Sequence, residues 1–225
     1  NLSRGRDIVI HNPDKWMRFY YVDDVMNAFV RHLTAEVSPG NDGYYRLPEE
    51  YCYSITLKEL ADTLLGFQSL RESHYIPRLE DPFIKKLYST YLSYLPLEEL
   101  EIPISSHCDD RGSFTELIKT KGNGQISLNI TKPGIRKGEH FHHTKCEKFL
   151  VIKGEALIRL RKIGDSRITE YPLSEDNLCF LEVPPGYTHN LINTGNSDLY
   201  TLIWANEVFD PSHTDTYPCP IDQAE

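Results

Sequence analysis

The 225-residue chain has no long apolar run, no excess of basic residues and no paired cysteine motif. Its longest apolar runs, such as residues 149–152, are far below the ~18 residues of a membrane-spanning helix, so we expect no membrane span. Lys and Arg number 24 against 33 Asp and Glu, and the net charge of −9 disfavours binding to a nucleic-acid backbone. The five cysteines are scattered without a CxxC pair, which is typical of reduced thiols in the cytoplasm.

The chain also lacks the glycine-rich loop with which reductases hold a dinucleotide. None of its 13 glycines forms a GxGxxG or GxxGxxG pattern, and no Tyr-x3-Lys pair occurs. The sequence therefore predicts that this chain does not bind a nicotinamide cofactor by itself. The first residue is Asn1 and no apolar signal segment follows it, so we expect the chain to begin within a longer cytoplasmic protein.

The sequence divides into two regions with different hydrophobic patterns, which meet near residue 100. Residues 22–35 place apolar side chains at helical spacing, a capping box at residues 56–59 opens a second helix that ends near Gly66, and residues 83–94 favour a third. From His107 onward, short β-rich runs alternate with Gly, Pro, Asn and Asp clusters. We expect a mixed protein, mainly helical at residues 1–100 and an all-β sandwich or barrel at residues 101–225. The predicted strands cover residues 113–118, 125–131, 148–152, 156–161, 177–183, 190–193 and 199–204.

A cluster of histidines lies in the second part. His140 and His142 are two positions apart, so on a strand both project from the same face. Glu147 follows after a predicted turn, and the tight turn at residues 184–186 brings His189 to the start of a later strand. Three imidazoles and one carboxylate form a ligand set that suits Zn(II), and equally Fe(II), Mn(II) or Ni(II).

The spacing of these residues resembles the two signature motifs of the cupin family. Residues 134–154 match G-x5-H-x-H-x4-E-x6-G, and residues 184–193 match P-x-G-x2-H-x3-N, with Leu178 in place of the glycine that usually opens the second motif. The resemblance implies a jelly-roll fold and leaves His143 outside the metal site. The metal ligands that it implies are His140, His142, Glu147 and His189.

A longer stretch is similar to the sugar-nucleotide epimerases of the dTDP-dehydrorhamnose type, from residues 110–116 through residues 125–129 to His140. Residues 125, 127 and 129 are polar and share one face of a predicted strand, which suits a cavity wall facing a sugar. In those epimerases the position of His140 is the catalytic base and no metal is bound. Base and metal ligand are therefore competing roles for this histidine, because a nitrogen that holds a metal is not a free base.

The general acid of those epimerases is a tyrosine just before a proline near the last strand. Residues 207–211 occupy that place here and include no tyrosine. The simple transfer of base and acid from these epimerases is therefore in doubt. Other tyrosines that could substitute are Tyr187, Tyr200 and Tyr217, for which plain packing is the alternative.

Residues 18–25 resemble the strand-to-helix junction late in extended short-chain dehydrogenase/reductases that act on nucleotide sugars. Together with residues 87–96 and 109–116, they resemble a two-domain capsular-polysaccharide family, which converts a UDP-linked N-acetylated 6-deoxy-4-keto sugar towards the precursor of N-acetyl-L-fucosamine. In that family the cupin domain epimerises C3, and the reductase domain then reduces C4 with NADPH. The resemblance implies that residues 1–100 are the substrate-side remainder of a reductase domain, that NADPH serves only the full-length relative, and that the chain forms a homodimer.

These resemblances together imply a sugar-nucleotide epimerase that uses Zn(II), with His140 and His142 as the catalytic residues. The side chains expected to orient the sugar or its diphosphate are Arg111, Gln125, Ser127, Asn129 and Lys145. Two other functions stay open at this point. The cupin part could be a non-catalytic module in which a metal stabilises the sandwich for dimerisation, or an iron-dependent oxygenase with the same ligands.

Overall fold

The computed structural model describes residues 2–4, 6–34 and 39–223, which divide into two compact units. One unit holds the described residues up to Ser73 together with Pro77–Glu101, and the other holds His74–Ile76 together with the residues from Ile102 onward. Within these ranges, none of the helices combines the length and the apolar character that a membrane crossing requires.

The first unit combines a small antiparallel sheet with three α-helices. Strand β1 (Trp16–Tyr20) pairs with β2 (Cys52–Thr56). The helices are α1 (Val22–Thr34), α2 (Leu57–Glu72) and α3 (Pro82–Ser93), and short 3-10 turns lie at Leu2–Arg4, Glu49–Tyr51 and Leu97–Glu99. The predicted capping box is present, because the Thr56 hydroxyl accepts the Glu59 N–H and the Glu59 carboxylate accepts the Thr56 N–H. Helix α1 agrees with its predicted range as far as residue 34, and residue 35 lies outside the described residues.

The prediction that α2 ends near Gly66 was wrong, because the helix continues to Glu72. Phe67, directly after this glycine, is only 2% exposed and packs with Tyr91 and Leu95 in the core of the unit. A glycine inside a helix costs about 1 kcal/mol relative to alanine, whereas burying a phenylalanine contributes about 1.5–3 kcal/mol. Packing therefore outweighs the local preference. That this unit is the remainder of a reductase domain stays a prediction.

The second unit is a sandwich of two β-sheets. Its strands are β3 (Tyr75–Ile76), β4 (His107–Asp109), β5 (Gly112–Thr120), β6 (Gly124–Thr131), β7 (Arg136–Phe141), β8 (Glu147–Lys153), β9 (Glu155–Lys162), β10 (Ile168–Ser174), β11 (Leu181–Val183), β12 (Tyr187–Asn193), β13 (Leu199–Ala205) and β14 (Tyr217–Pro218). One sheet runs in the order β10, β9, β12, β7, β14, and the other in the order β11, β8, β13, β6, β5, β3, with β4 also paired to β5. From β6 to β13, this is the order of a jelly roll, and it confirms the expected all-β architecture.

The core of the sandwich lies between the two sheets. Val151 on β8, Ile158 on β9 and Leu199 on β13 are almost completely buried and belong to one apolar cluster. Alternate residues of β8, β9 and β10 belong to this cluster or pack against it, which is the period-two pattern that predicts strands from a sequence.

Several strands of the second unit differ from the prediction. The strands outside the predicted ranges are β3, β4, β7, β10 and β14. Strand β10 was missed because it contains Pro172, but β10 lies at the edge of its sheet, where a residue without an N–H is tolerated. The strand expected over residues 177–183 forms only at Leu181–Val183, and the side chains of Leu178 and Phe180 are each 65% exposed.

Candidate metal centre

Three strands of the sandwich position the four predicted metal ligands. His140 lies in β7, His142 directly follows that strand, Glu147 opens β8, and His189 lies in β12. His140 and His189 face each other across the antiparallel pair of β7 and β12. The four residues each offer one ligand atom, and these atoms lie within 4.8 Å of one another. The structure therefore brings together the group that the motif spacing predicts.

The chemistry of this group fits a divalent cation. The Glu147 Oε2 atom lies 3.2 Å from His189 Nε2 and 3.5 Å from His142 Nε2. Within the described part of the chain, His142 Nε2 and Glu147 Oε2 are buried without a hydrogen bond of good geometry. A buried polar atom left without a partner costs about 1–3 kcal/mol. A metal ion bound by these nitrogen and oxygen atoms would remove that cost. Imidazole nitrogens and carboxylate oxygens are the donors found in zinc and related sites.

The pKa values of His140 and Glu147 favour the protonation states that bind metals, whereas the pKa of His142 does not. Burial and the neighbouring His189 lower the pKa of His140 to about 4, so this imidazole is neutral at pH 7. Burial raises the pKa of the Glu147 carboxyl, but the nearby imidazoles outweigh this effect and hold it well below its usual range. Burial lowers the pKa of His142, whereas the Glu147 carboxylate raises it and prevails. A proton on His142 and a metal ion therefore compete for the same place.

Asp215 orients His142 from a distant part of the chain. The Nδ1 atom of His142 lies 2.6 Å from the Asp215 carbonyl oxygen. Nδ1 therefore donates its proton there, and Nε2 keeps the lone pair that faces the other ligands. The Asp215 carboxylate accepts the backbone N–H groups of His143, Thr144 and Lys145, at 3.0, 2.8 and 2.8 Å. The sequence alone does not indicate Asp215, because no motif relates it to a histidine 73 positions earlier.

We expect the substitution Asp215→Asn to weaken the binding of a divalent metal about 10-fold, because the carboxylate no longer fixes the segment whose backbone carbonyl orients His142. Asparagine tolerates the backbone φ of 40° at this position but offers one acceptor oxygen instead of two. Competition with a chromophoric chelator measures the affinity. The matched control is Asp210→Asn, because the Asp210 carboxylate contacts only Ser212 and His213 among the described residues. Equal affinities for the two variants would contradict this role of Asp215.

The ligand group opens onto a cavity of about 470 Å³. This volume lies within the range of about 300–1,000 Å³ that is typical of small-molecule sites. All four ligands line the cavity, so they are accessible from it. The remaining polar side chains of its lining are His107, Glu116, Gln125, Asn129, Lys137, Lys145, Glu207 and Thr216.

Three of the five residues predicted to orient the substrate line this cavity, namely Gln125, Asn129 and Lys145. Both ends of the Gln125 amide already have protein partners, because Oε1 accepts the Phe209 N–H at 3.0 Å and Nε2 donates to Ser127 Oγ at 3.1 Å. Gln125 therefore also anchors the segment that carries Phe209.

The other two predicted residues lie elsewhere. Ser127 is 1% exposed and is not part of the lining, because it lies behind Gln125 as that residue's hydrogen-bond acceptor. Arg111 is exposed and pairs with Asp109 at 2.7 Å instead of reaching the cavity. The partner of Arg111 in this structure is thus a residue two positions away.

Comparison with known proteins connects this site to a family. A family model described as "Polysaccharide biosynthesis C-terminal domain" matches residues 107–217. The chain is 36% identical over 223 residues to the UDP-2-acetamido-2,6-beta-L-arabino-hexul-4-ose reductase of Pseudomonas aeruginosa, a match that covers 99% of this chain and 59% of that protein. The chain also superposes on the capsular polysaccharide assembling protein CapF from Staphylococcus aureus, with a TM-score of 0.89 at 42% identity. This superposition covers 97% of this chain and 58% of the CapF chain. The chain is therefore similar to CapF over nearly its whole length.

A second CapF structure, with the inhibitor 3-isopropenyl-tropolone, gives a TM-score of 0.90 at 43% identity and covers 97% of this chain and 62% of that one. The resemblance to the capsular-polysaccharide epimerase/reductase family that the sequence indicated is thereby confirmed. The chain spans about six-tenths of the length of these CapF relatives.

Proposed function

We propose that the second unit is the catalytic domain of a sugar-nucleotide epimerase, which inverts C3 of a UDP-linked 6-deoxy-4-keto-N-acetylhexosamine on the route to the precursor of N-acetyl-L-fucosamine. The names of two relatives support the substrate class and the process, since one is a UDP-2-acetamido-2,6-beta-L-arabino-hexul-4-ose reductase and the other a capsular polysaccharide assembling protein. Reduction of C4 with NADPH is assigned to the longer relatives, because this chain has no dinucleotide loop. Homodimerisation and a cytoplasmic location stay predictions.

The observation that carries this proposal is the accessibility of the ligand group. A structural zinc site has four protein ligands and no open position. Here all four ligand residues line a cavity of about 470 Å³, next to the polar side chains of Asn129 and Lys145. This arrangement favours a centre that meets a small molecule over a metal that only stabilises the sandwich.

The four ligand residues act as one unit in this proposal. His140, His142, Glu147 and His189 would hold a divalent ion, which we expect to be Zn(II). When bound, such an ion supplies Lewis-acid stabilisation for charge that develops on a carbonyl oxygen. The catalytic contribution of His140 and His142 is then to hold this ion at the cavity wall, and proton abstraction is not assigned to His140.

Two side chains of the wall are suited to orient the sugar. The Asn129 amide donates from Nδ2 to Thr131 Oγ1 at 3.0 Å, which fixes the direction of its carbonyl oxygen. The ammonium group of Lys145 is buried, donates to the Thr214 carbonyl at 2.8 Å and lies 3.5 Å from Glu207. Both groups are held in place before a substrate arrives, so their orientation costs little entropy on binding.

We expect the zinc-loaded chain to exchange the C3 hydrogen of the UDP-linked 4-keto sugar for deuterium in D2O without any nicotinamide. The proton next to a ketone is acidified when the oxyanion is stabilised, and NMR at C3 measures its replacement. His142→Ala should reduce this exchange at least about 100-fold, the lower range for losing a group that stabilises such charge. The control His213→Ala changes a side chain that is 86% exposed and should exchange like the unaltered protein.

The absence of exchange in folded, zinc-loaded protein would contradict the epimerase and favour the stabilising module. Oxygen consumption by the iron-loaded protein, without exchange at C3, would favour the oxygenase instead. The two measurements therefore separate the three functions that the ligand set allows.

A further inference from the structure

A β-bulge shapes the cavity wall next to the ligand group. His189 pairs with His140 and the next residue, Asn190, pairs with Gly138, so Glu139 is an extra residue in β7. Gly138 and Glu139 both have positive φ angles, of 102° and 66°. A Cβ atom on Gly138 would lie 2.7 Å from the His189 carbonyl oxygen, so only glycine fits this close approach of the two strands. Bulges of this kind redirect side chains and are frequent beside active sites.

The carboxylate of Glu139 holds the bulge in place. It accepts the Asn190 side-chain amide and the Ile221 backbone N–H, each at 2.7 Å. The Glu139 carbonyl accepts the Cys219 N–H at 2.8 Å. Strained φ values such as that of Glu139 persist only where surrounding contacts maintain them, and these three hydrogen bonds supply such contacts.

The consequence of the bulge is the position of Lys137. On a regular strand, residues three positions apart point to opposite faces. Because the bulge adds one residue between them, Lys137 and His140 both line the same cavity. The bulge thereby places a lysine side chain on the cavity wall that carries the ligand group. The spacing of Lys137 and His140 in the sequence does not predict this position.

The surroundings of Lys137 favour the release of a proton. Its ammonium group donates to Asn129 Oδ1 at 2.9 Å and to the Ile130 carbonyl at 2.8 Å, which are both neutral oxygens. Burial lowers the pKa of Lys137, while Asp109 and Arg111 act on it in opposite senses and form an ion pair with each other. An ammonium group whose pKa is lowered is a better general acid than an exposed lysine. With two of its three N–H bonds engaged, one stays available for a ligand.

The other candidates for a proton donor are less suited. Among the described residues that line the cavity there is no tyrosine, so Tyr187, Tyr200 and Tyr217 do not take the place of the acid that related epimerases use. Lys145 lies close to the Glu207 carboxylate, and Glu116 pairs with Lys119 at 2.6 Å. Both groups are therefore already engaged with a side chain of opposite charge.

We propose that Lys137 is the catalytic proton donor of this site, the group that protonates C3 of the sugar after the first proton has been removed; this inference rests on the proposed epimerase function. A proton leaves Nζ of Lys137 and forms the new C3–H bond with the electron pair of the enolate double bond between C3 and C4. The C4 carbonyl is restored, and Lys137 becomes a neutral amine that regains a proton from water. Nothing is oxidised or reduced.

The test separates exchange from inversion in the variants Lys137→Arg and Lys137→Met. Both reactions are followed by NMR in D2O with the zinc-loaded 225-residue chain and the UDP-linked 4-keto sugar. In this proposal Lys137 does not remove the first proton, so the group that accepts that proton can still return a deuteron from D2O, and exchange at C3 should persist within about 10-fold. Inversion should fall at least about 100-fold, because general acids contribute about 10²–10⁴-fold and arginine stays charged.

The control is Lys132→Met, an exposed lysine that does not line the cavity and should leave both rates unchanged. The zinc content of each variant reports that the site has formed. Inversion at the original rate in Lys137→Arg would overturn the inference, and so would equal losses of exchange and inversion with a raised KM, which indicate substrate binding. The absence of exchange in the unaltered chain would instead overturn the proposed function itself.

Discussion

Replacing His189 with alanine is expected to weaken zinc binding about 100-fold or more. Four-ligand zinc sites bind with about 10–16 kcal/mol, so one ligand of four accounts for roughly 2.5–4 kcal/mol. His189 is 2% exposed and its Nε2 atom lies 3.2 Å from Glu147 Oε2, so no other side chain of the described chain is placed to substitute for it within the ligand group. Competition with a chelator of known affinity measures the loss.

The matched control for this prediction is His143→Ala. His143 neighbours the ligand His142, but it is exposed, and its ring packs 4.5 Å from the ring of Tyr217 instead of joining the group. We expect its removal to leave zinc affinity within about 2-fold, since its contact is distant from the donor atoms. A strong loss in His143→Ala with little change in His189→Ala would show that a different set of histidines binds the metal.

The second large effect is expected from Arg161→Leu, which should destabilise the sandwich by about 3 kcal/mol or more, because each buried acceptor left without its donor costs about 1–3 kcal/mol. The guanidinium group of Arg161 is 2% exposed and has no carboxylate partner among its hydrogen bonds in the described chain. It donates instead to backbone carbonyl groups. The acceptors are Asp165, Pro220, Ile221 and Gln223. Leucine leaves these carbonyl groups without a donor.

Hydrogen exchange of the backbone amides of β9 and β12 measures this loss within the sandwich itself, where it should appear as exchange at least about 100-fold faster. The control Arg167→Leu changes an exposed side chain and should alter stability by less than about 0.5 kcal/mol. Unchanged protection in Arg161→Leu would contradict the prediction. Arg161 donates to the carbonyl of Ile221, and the N–H of Ile221 donates to the Glu139 carboxylate. The variant therefore also tests whether this C-terminal segment supports the bulge.

The ligand group illustrates what local spacing predicts well. His140 and His142 are two positions apart beside a strand end, and Glu147 begins the strand that follows. These relations depend on one turn and on the alternation of a strand, so the sequence is sufficient to predict them. His189 required the cupin resemblance, because only strand pairing brings it opposite His140.

Other residues show the limits of such reasoning. Arg111 was expected at the substrate, but an ion pair with Asp109 holds it outside the cavity lining. Asp215 was missed because it reaches His142 through a loop 73 residues away. Lys137 was missed because a regular strand would direct it away from His140, and one extra residue in β7 reverses that direction.

The sequence by itself determined the division into a helical and a β-rich part, the capped start of α2, most strands of the sandwich and the residue types of the metal centre. Each of these depends on contacts between residues that are near in the chain, or on a period of two or 3.6. The tertiary structure alone decided that α2 continues past Gly66, that Pro172 lies in an edge strand, and that Lys137 faces the cavity. These features depend on burial and strand pairing between distant segments, whose free energies exceed the local preferences that a sequence displays.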